Sequence, residues 1–140
     1  MSDVAYALGR IGVSIVFVVF GTLQFMNITP YLTNPAILKF VATTGNVAPP
    51  AAVAYLVATT CLLGGVFVLL GFKTQRAALV LCVFTALTIY FAHSFWEMEG
   101  PARAANQAHA LKNLAIMGAL LMLAVMGAGR YSIDRRTTGA

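Results

Sequence analysis

The sequence predicts an all-α integral membrane protein: an antiparallel, up-down four-helix bundle with a short interfacial helix in its first loop. Three observations lead there. Hydrophobic residues fill 60% of the 140 positions and charged residues 9%, with a mean hydropathy of +0.85. A soluble domain carries roughly 25% charge and about 45–50% apolar residues, so this chain has too little polar surface to cover a water-soluble globule. Four apolar runs each approach the ~20 residues that cross a hydrocarbon core of about 30 Å as a helix. Finally, the loops between those runs differ in basic charge from one end of the bundle to the other.

The first run, residues 5–26, lacks a basic leader and a small-residue cleavage site and is longer than a signal peptide core needs, so it reads as a span. The second, 51–72, opens behind Pro49-Pro50. The third, 75–95, and the fourth, 109–129, complete one domain over 1–140. Helices are required, because lipid cannot satisfy open backbone groups and four helical-length runs cannot close a barrel. In the first loop, "NPAILKFVATTG" places Asn34 as N-cap, Pro35 at the first helical position and Gly45 at the stop. Ile37, Phe40 and Val41 share a face, which predicts a short helix lying on the membrane surface over the mouth of the bundle. The remaining loops are short, so successive spans are expected to be antiparallel neighbours. Gly12, Gly21, Gly64, Gly65 and Gly118 are candidate close-packing positions.

Arg10, Lys73, Arg76, Arg130, Arg135 and Arg136 fall at one end of the bundle, and Lys39, Arg103 and Lys112 at the other, together with Glu97 and Glu99. The positive-inside rule then puts both termini in the cytoplasm of a bacterial inner membrane and the stretch "HSFWEMEG", residues 93–100, on the periplasmic side. The formal charge of +5 does not point to nucleic acid, since the basic residues are scattered singly and form no stripe for phosphates to follow. No glycine-rich phosphate loop or CxxC pair is present. Cys61 and Cys82 lie within apolar runs without metal-ligand spacing, as buried thiols do.

One polar constellation stands out. With the third span continued as a helix, His93, Trp96 and Glu97 share a face at i, i+3 and i+4. Asn106, His109 and Asn113 share a face at the start of the fourth span, with Lys112 at its edge and Gly100-Pro101 as the break between. Antiparallel neighbours would bring the two faces to the same depth. Three readings remain open. His93, Glu97 and His109 offer two imidazoles and a carboxylate to a transition metal. Alternatively, His93, Trp96, Glu97, His109 and Asn113 form a quinone pocket, a histidine and a carboxylate handling the protons. The third is a purely structural network, for example Glu97 with Lys112 beneath an interfacial tryptophan. At the other end, Arg10 sits nearly a turn inside the first span, where a lone cation must snorkel or find a partner. Asp134 in the tail is the expected one, a structural tie.

Several stretches together resemble the DoxX family of small four-helix inner-membrane proteins: Arg10 followed by "FVVFGTLQF", the loop "LLGFKTQRAAL", and the closing span with its Gly-x-Gly-x-x-Ser-x-Asp tail from Gly127 to Asp134. "HSFWEMEG" is similar to the corresponding stretch of the YphA-like branch. The matching positions are Arg10, His93, Trp96, Glu97, Asn113, Gly129, Ser132 and Asp134. The resemblance implies an accessory or quinone-contacting subunit of a membrane redox assembly rather than an independent enzyme, since members of the family are associated with membrane oxidoreductases. Its implied partners are the lipid bilayer and another membrane protein or redox subunit, with a homo-oligomer also compatible. Relatives often carry a glutamate in the middle of the second span, where this chain has Cys61.

Overall fold

A computed structural model of the chain describes residues 2–138. Among these residues there is no strand, and six α-helices follow in order: α1 Ser2–Met26, α2 Pro35–Thr43, α3 Pro50–Leu70, α4 Thr74–Ala92, α5 Gly100–Met126 and α6 Ile133–Thr138. Single 3-10 turns lie at Thr29–Tyr31 and Phe95–Glu97. The segments Ser2–Met26, Pro50–Leu70, Thr74–Glu97 and Gly100–Met126 are long and apolar enough to cross a membrane. Phe20, Leu56, Val83 and Val125 are among the large apolar side chains on the outside of the bundle. In water such a surface would drive association; in a bilayer it faces its solvent.

The helices assemble as two tight pairs, α1 with α3 and α4 with α5, joined through α3 and α4, while α1 touches α5 much less. Two glycines set the approach of α1 to α3. A Cβ on Gly21 would stand 2.6 Å from the Leu62 amide nitrogen, and one on Gly65 would stand 2.9 Å from that of Val18. Gly64 leaves room for the Leu81 side chain between α3 and α4. Gly12 and Gly118 differ from the sequence expectation: a Cβ on either meets no atom within 4 Å, so neither brings two of these helices together. The core cluster runs along the bundle through Phe17, Cys61, Val68, Leu81, Cys82 and Leu120.

The short helix α2 lies where the cap signals place it. Asn34 accepts from the Ala36 amide (2.9 Å), Pro35 occupies the first turn, and Gly45 adopts φ +72° beyond the helix end. Ile37 and Val41 bury against Val53 and Ala54 of α3, and the Phe40 ring meets Phe91 edge-on (centroids 5.2 Å). Lys39 is left on the polar side.

Two span boundaries differ from the sequence reading. α4 ends at Ala92, so His93, Trp96 and Glu97 do not share a helical face; His93 is the C-cap, at φ −126° and ψ 41°, and the chain turns through the 3-10 segment. α5 begins at Gly100 rather than nine residues later. Pro101 lies in the first turn, where its missing N–H has no helical partner to lose, so it starts the helix instead of interrupting it. At 1.5 Å per residue the 27 residues of α5 extend about 40 Å, more than a hydrocarbon core needs. Its first turns carry the polar residues Arg103, Asn106, Gln107 and His109.

Candidate functional site

At the end of the bundle where α4 turns into α5, the structure brings His93 and His109 together. Their rings stack with centroids 5.0 Å apart and planes within 16°. Asn106, one turn before His109 on α5, holds the arrangement. Its Nδ2 donates to the Ala102 carbonyl (3.0 Å), which leaves Oδ1 as the acceptor facing His93 Nδ1 (3.0 Å). The network thus assigns the proton of neutral His93 to Nδ1 and leaves its Nε2 as an acceptor. His93 is half-buried and His109 exposed, so the pair opens to the surface of the bundle.

The other predicted members are distributed around this pair. Glu97 turns to Lys39 of α2, at 2.6 Å from Nζ to Oε2, instead of to Lys112. This contact joins the interfacial helix to the turn between α4 and α5, and the Lys39 ammonium also stands over the Tyr90 ring (5.4 Å). Trp96 is 48% exposed and packs on the Tyr90 and Phe95 rings, as an interfacial anchor does. Asn113 is half-buried one turn further along α5 from His109. Among the described residues no group of three His, Cys, Asp or Glu side chains is placed to hold a metal ion. Sequence reading missed Lys39 as a partner. The available signal was its position on α2, opposite the buried pair Ile37 and Val41.

The basic end holds a second polar assembly, built around backbone carbonyls beyond the end of α5. An α-helix leaves its last carbonyls without internal partners. Here Tyr6 Oη donates to the Gly127 carbonyl (2.7 Å), Arg10 Nη1 to Ala128 (2.6 Å), Arg10 Nη2 to Tyr131 (2.7 Å), and Ser132 Oγ to Gly129 (2.7 Å). Arg10 is only 4% exposed, so its cation is accommodated by carbonyl dipoles instead of by snorkelling. Asp134 serves the neighbouring loop. Its Oδ1 accepts from the Lys73 amide (2.7 Å) and its Oδ2 from Thr74 (3.0 Å), while its own amide donates to Gly71 (2.8 Å). Lys73 is thereby held at φ +47°, a left-handed conformation that a non-glycine residue adopts at a cost. Gly71 has φ +67°, and a Cβ there would collide with Arg10 Nη1 and Ser132. The tie between tail and bundle therefore runs from Arg10 and Asp134 to backbone groups of opposite polarity, with the Arg10 charge acting on Asp134 through space.

Burial alone would raise the Asp134 carboxyl, but the Thr74 and Lys73 amides and the Arg10 charge outweigh it and hold the group below its ordinary range. Because the folded-state pKa is the lower one, the stabilisation is present above the unfolded carboxylate value of about 3.9 and is lost as pH falls through the folded value. In an acid titration of the detergent-solubilised protein, Asp134→Asn should lower the unfolding midpoint at neutral pH. It should also flatten the decline below about pH 5. A variant as steep as the parent would show that another group carries the acid response.

The DoxX family model matches residues 5–94, which takes in α1 to α4 and stops short of α5. Inner membrane protein YphA of Escherichia coli (strain K12) is 31% identical over 130 residues, covering 92% of this chain and 87% of the relative. Inner membrane protein YqjF of the same organism is 33% identical over 135 residues, covering 96% and 93%. A shorter similarity, 32% over 71 residues, links 49% of the chain to 24% of the Surfeit locus protein 4 homolog of Schizosaccharomyces pombe (strain 972 / ATCC 24843). No solved structure matches. With a family model over residues 5–94 and two nearly full-length relatives at 31% and 33% identity, the chain belongs to the DoxX family.

Proposed function

We propose that this protein resides in the bacterial inner membrane with both termini cytoplasmic and acts as an accessory, quinone-contacting subunit of a membrane redox assembly. The similarity to the inner membrane proteins YphA and YqjF of Escherichia coli supports the location. The division of basic residues between the two ends supports the orientation.

The observation that carries the quinone reading is the contact of His93 Nδ1 with Asn106 Oδ1 (3.0 Å) beside the stacked His109 ring. With Nδ1 committed to Asn106, Nε2 of the neutral ring can accept a hydrogen bond from the quinol hydroxyl that forms once two electrons from the partner and two protons from water reduce the quinone. The adjacent His109 ring offers a second nitrogen for a quinone carbonyl. The pair lies where the third and fourth candidate spans meet, an end of the bundle that a lipid-soluble ring could approach. The electron donor belongs to the partner, since the chain itself has no thioredoxin-like CxxC or phosphate loop for a nucleotide. Purified in mild detergent, the protein should bind a photoreactive ubiquinone analogue. His93→Phe and His109→Phe should each weaken labelling about fivefold, the worth of one hydrogen bond. Equal labelling of parent and both variants would end this reading.

The proximity of the two imidazoles also favours a second reading, a transition metal held by His93 and His109 with Glu97 as a third ligand. Glu97 would have to leave Lys39 to join them. Metal analysis of parent and His93→Ala, His109→Ala proteins decides it, because a metal content unaffected by the substitutions excludes these ligands. Co-purification of a membrane protein that is insensitive to both histidine variants and to quinone would instead favour a purely structural or assembly role.

A further inference from the structure

The basic end of the bundle contains a cavity of about 300 Å³ beside the carbonyl-capping assembly. It is lined by Leu70 at the end of α3 and by Arg130, Tyr131, Ser132, Ile133 and Arg136 of the tail. Two cations thus meet one cavity from opposite ends of a seven-residue segment. The Asp134 carboxylate, between them in sequence, accepts from the Lys73 and Thr74 amides. Among the described residues Arg130 Nη1 is paired with Asp3 at 3.6 Å, with the two side chains 66% and 48% exposed. A contact that long and that exposed holds a guanidinium weakly.

The apolar part of the lining is equally informative. Leu70, Tyr131 and Ile133 are large apolar side chains exposed beside the two arginines, at the level where the spans end. A guanidinium pair suits a phosphate, whose oxygens accept forked N–H donors. Aliphatic and aromatic surface in the same lining suits the glycerol and first methylenes of a lipid. An ion from bulk water would gain nothing from that second surface. Basic pockets at helix ends on the positively charged side of membrane proteins are suited to acidic headgroups on the same grounds.

We propose that this cavity is a binding site for a phosphate group, supplied in the membrane by an anionic phospholipid whose headgroup lies between Arg130 and Arg136. Occupancy would brace the tail segment that also delivers its carbonyls to Arg10 and its carboxylate to the α3–α4 loop. The site is independent of the histidine pair at the opposite end and of the function proposed for it.

The test uses the full-length protein, delipidated in mild detergent and titrated separately with dioleoylphosphatidylglycerol, dioleoylphosphatidylcholine and inorganic phosphate. Bound adducts are counted by native mass spectrometry. One anionic lipid should be retained in preference to phosphatidylcholine. Arg130→Gln and Arg136→Gln should each weaken retention about fivefold, as expected for one basic residue near a charged surface. Arg135→Gln, in the same tail but outside the lining, and Arg103→Gln, at the other end, should retain the lipid. Saturable inorganic phosphate binding lost in the same two variants, without lipid preference, would support the anion site and identify free phosphate as its source. Equal losses from all four variants, or no preference for an anion in any form, would overturn the proposal. These four arginines are exposed, so the variants are expected to fold, and their unfolding midpoints provide the check.

Discussion

Replacing Arg10 with methionine should release the tail from the bundle and lower stability by about 3 kcal/mol or more. The reasoning is that a hydrogen bond to a charged group is worth roughly 1.5–3 kcal/mol, and two are lost together. Methionine retains much of the apolar stem but strands the Ala128 and Tyr131 carbonyls that the guanidinium fork holds at 2.6 and 2.7 Å. Arg10→Lys should recover part of the loss at most, because an ammonium lacks the rigid planar fork that spans two acceptors. Thermal unfolding in detergent gives the magnitude, and limited proteolysis locates it, since cleavage after Arg130, Arg135 or Arg136 should accelerate before cleavage elsewhere. Asp134→Asn combined with Arg10→Met should cost less than the sum of the single changes, because both residues anchor one segment. An Arg10→Met protein with the parent's midpoint and an equally protected tail would refute this account.

The second large effect is expected at a residue with no side chain. Gly21→Ala places a Cβ 2.6 Å from the Leu62 amide nitrogen and 2.9 Å from its Cα. Both are backbone atoms of a helix, so no rotamer change relieves the contact, and α1 must withdraw from α3 by about 1 Å to restore ordinary packing distance. Overpacking of this kind costs about 1–3 kcal/mol, more than the helix propensity that alanine contributes. Gly118→Ala is the internal control. It is also helical, but its Cβ meets nothing within 4 Å, so the propensity gain stands alone and the midpoint should rise or stay level. If the two substitutions shift the midpoint alike, the close α1–α3 approach is not what Gly21 provides.

The glycine comparison shows where sequence reading reaches its limit in this chain. A small residue in an apolar span signals that close approach is permitted, and Gly21, Gly64 and Gly65 use that permission. Gly12 and Gly118 carry the same signal and face open space. What separates them is the rotation of each helix about its axis, which the low amphipathicity of a span surrounded by lipid leaves unmarked. The end of α4 was hidden for a related reason. No proline or glycine interrupts the run to Phe95, and only the tertiary turn toward α5 takes His93 out of the helix. Gly100-Pro101 carried the opposite error: a pair that usually separates elements here forms the first turn of α5.

The sequence by itself determined the membrane class, the number of spans, the interfacial helix with its Asn34 cap, and the presence of polar groups at both ends. Each of these follows from local quantities: the length of an apolar run, a capping residue, a charge in the wrong solvent. Only the tertiary structure decided the partners. Glu97 met Lys39 from an earlier loop, Arg10 met carbonyls of the tail, and His93 met His109 with its proton placed by Asn106. Partner choice depends on helix rotation and on where a chain leaves its helix. Those are settled by packing between segments 13 to 121 residues apart, in the cases of His93–Asn106 and Arg10–Tyr131, and such distances leave no local mark in the sequence.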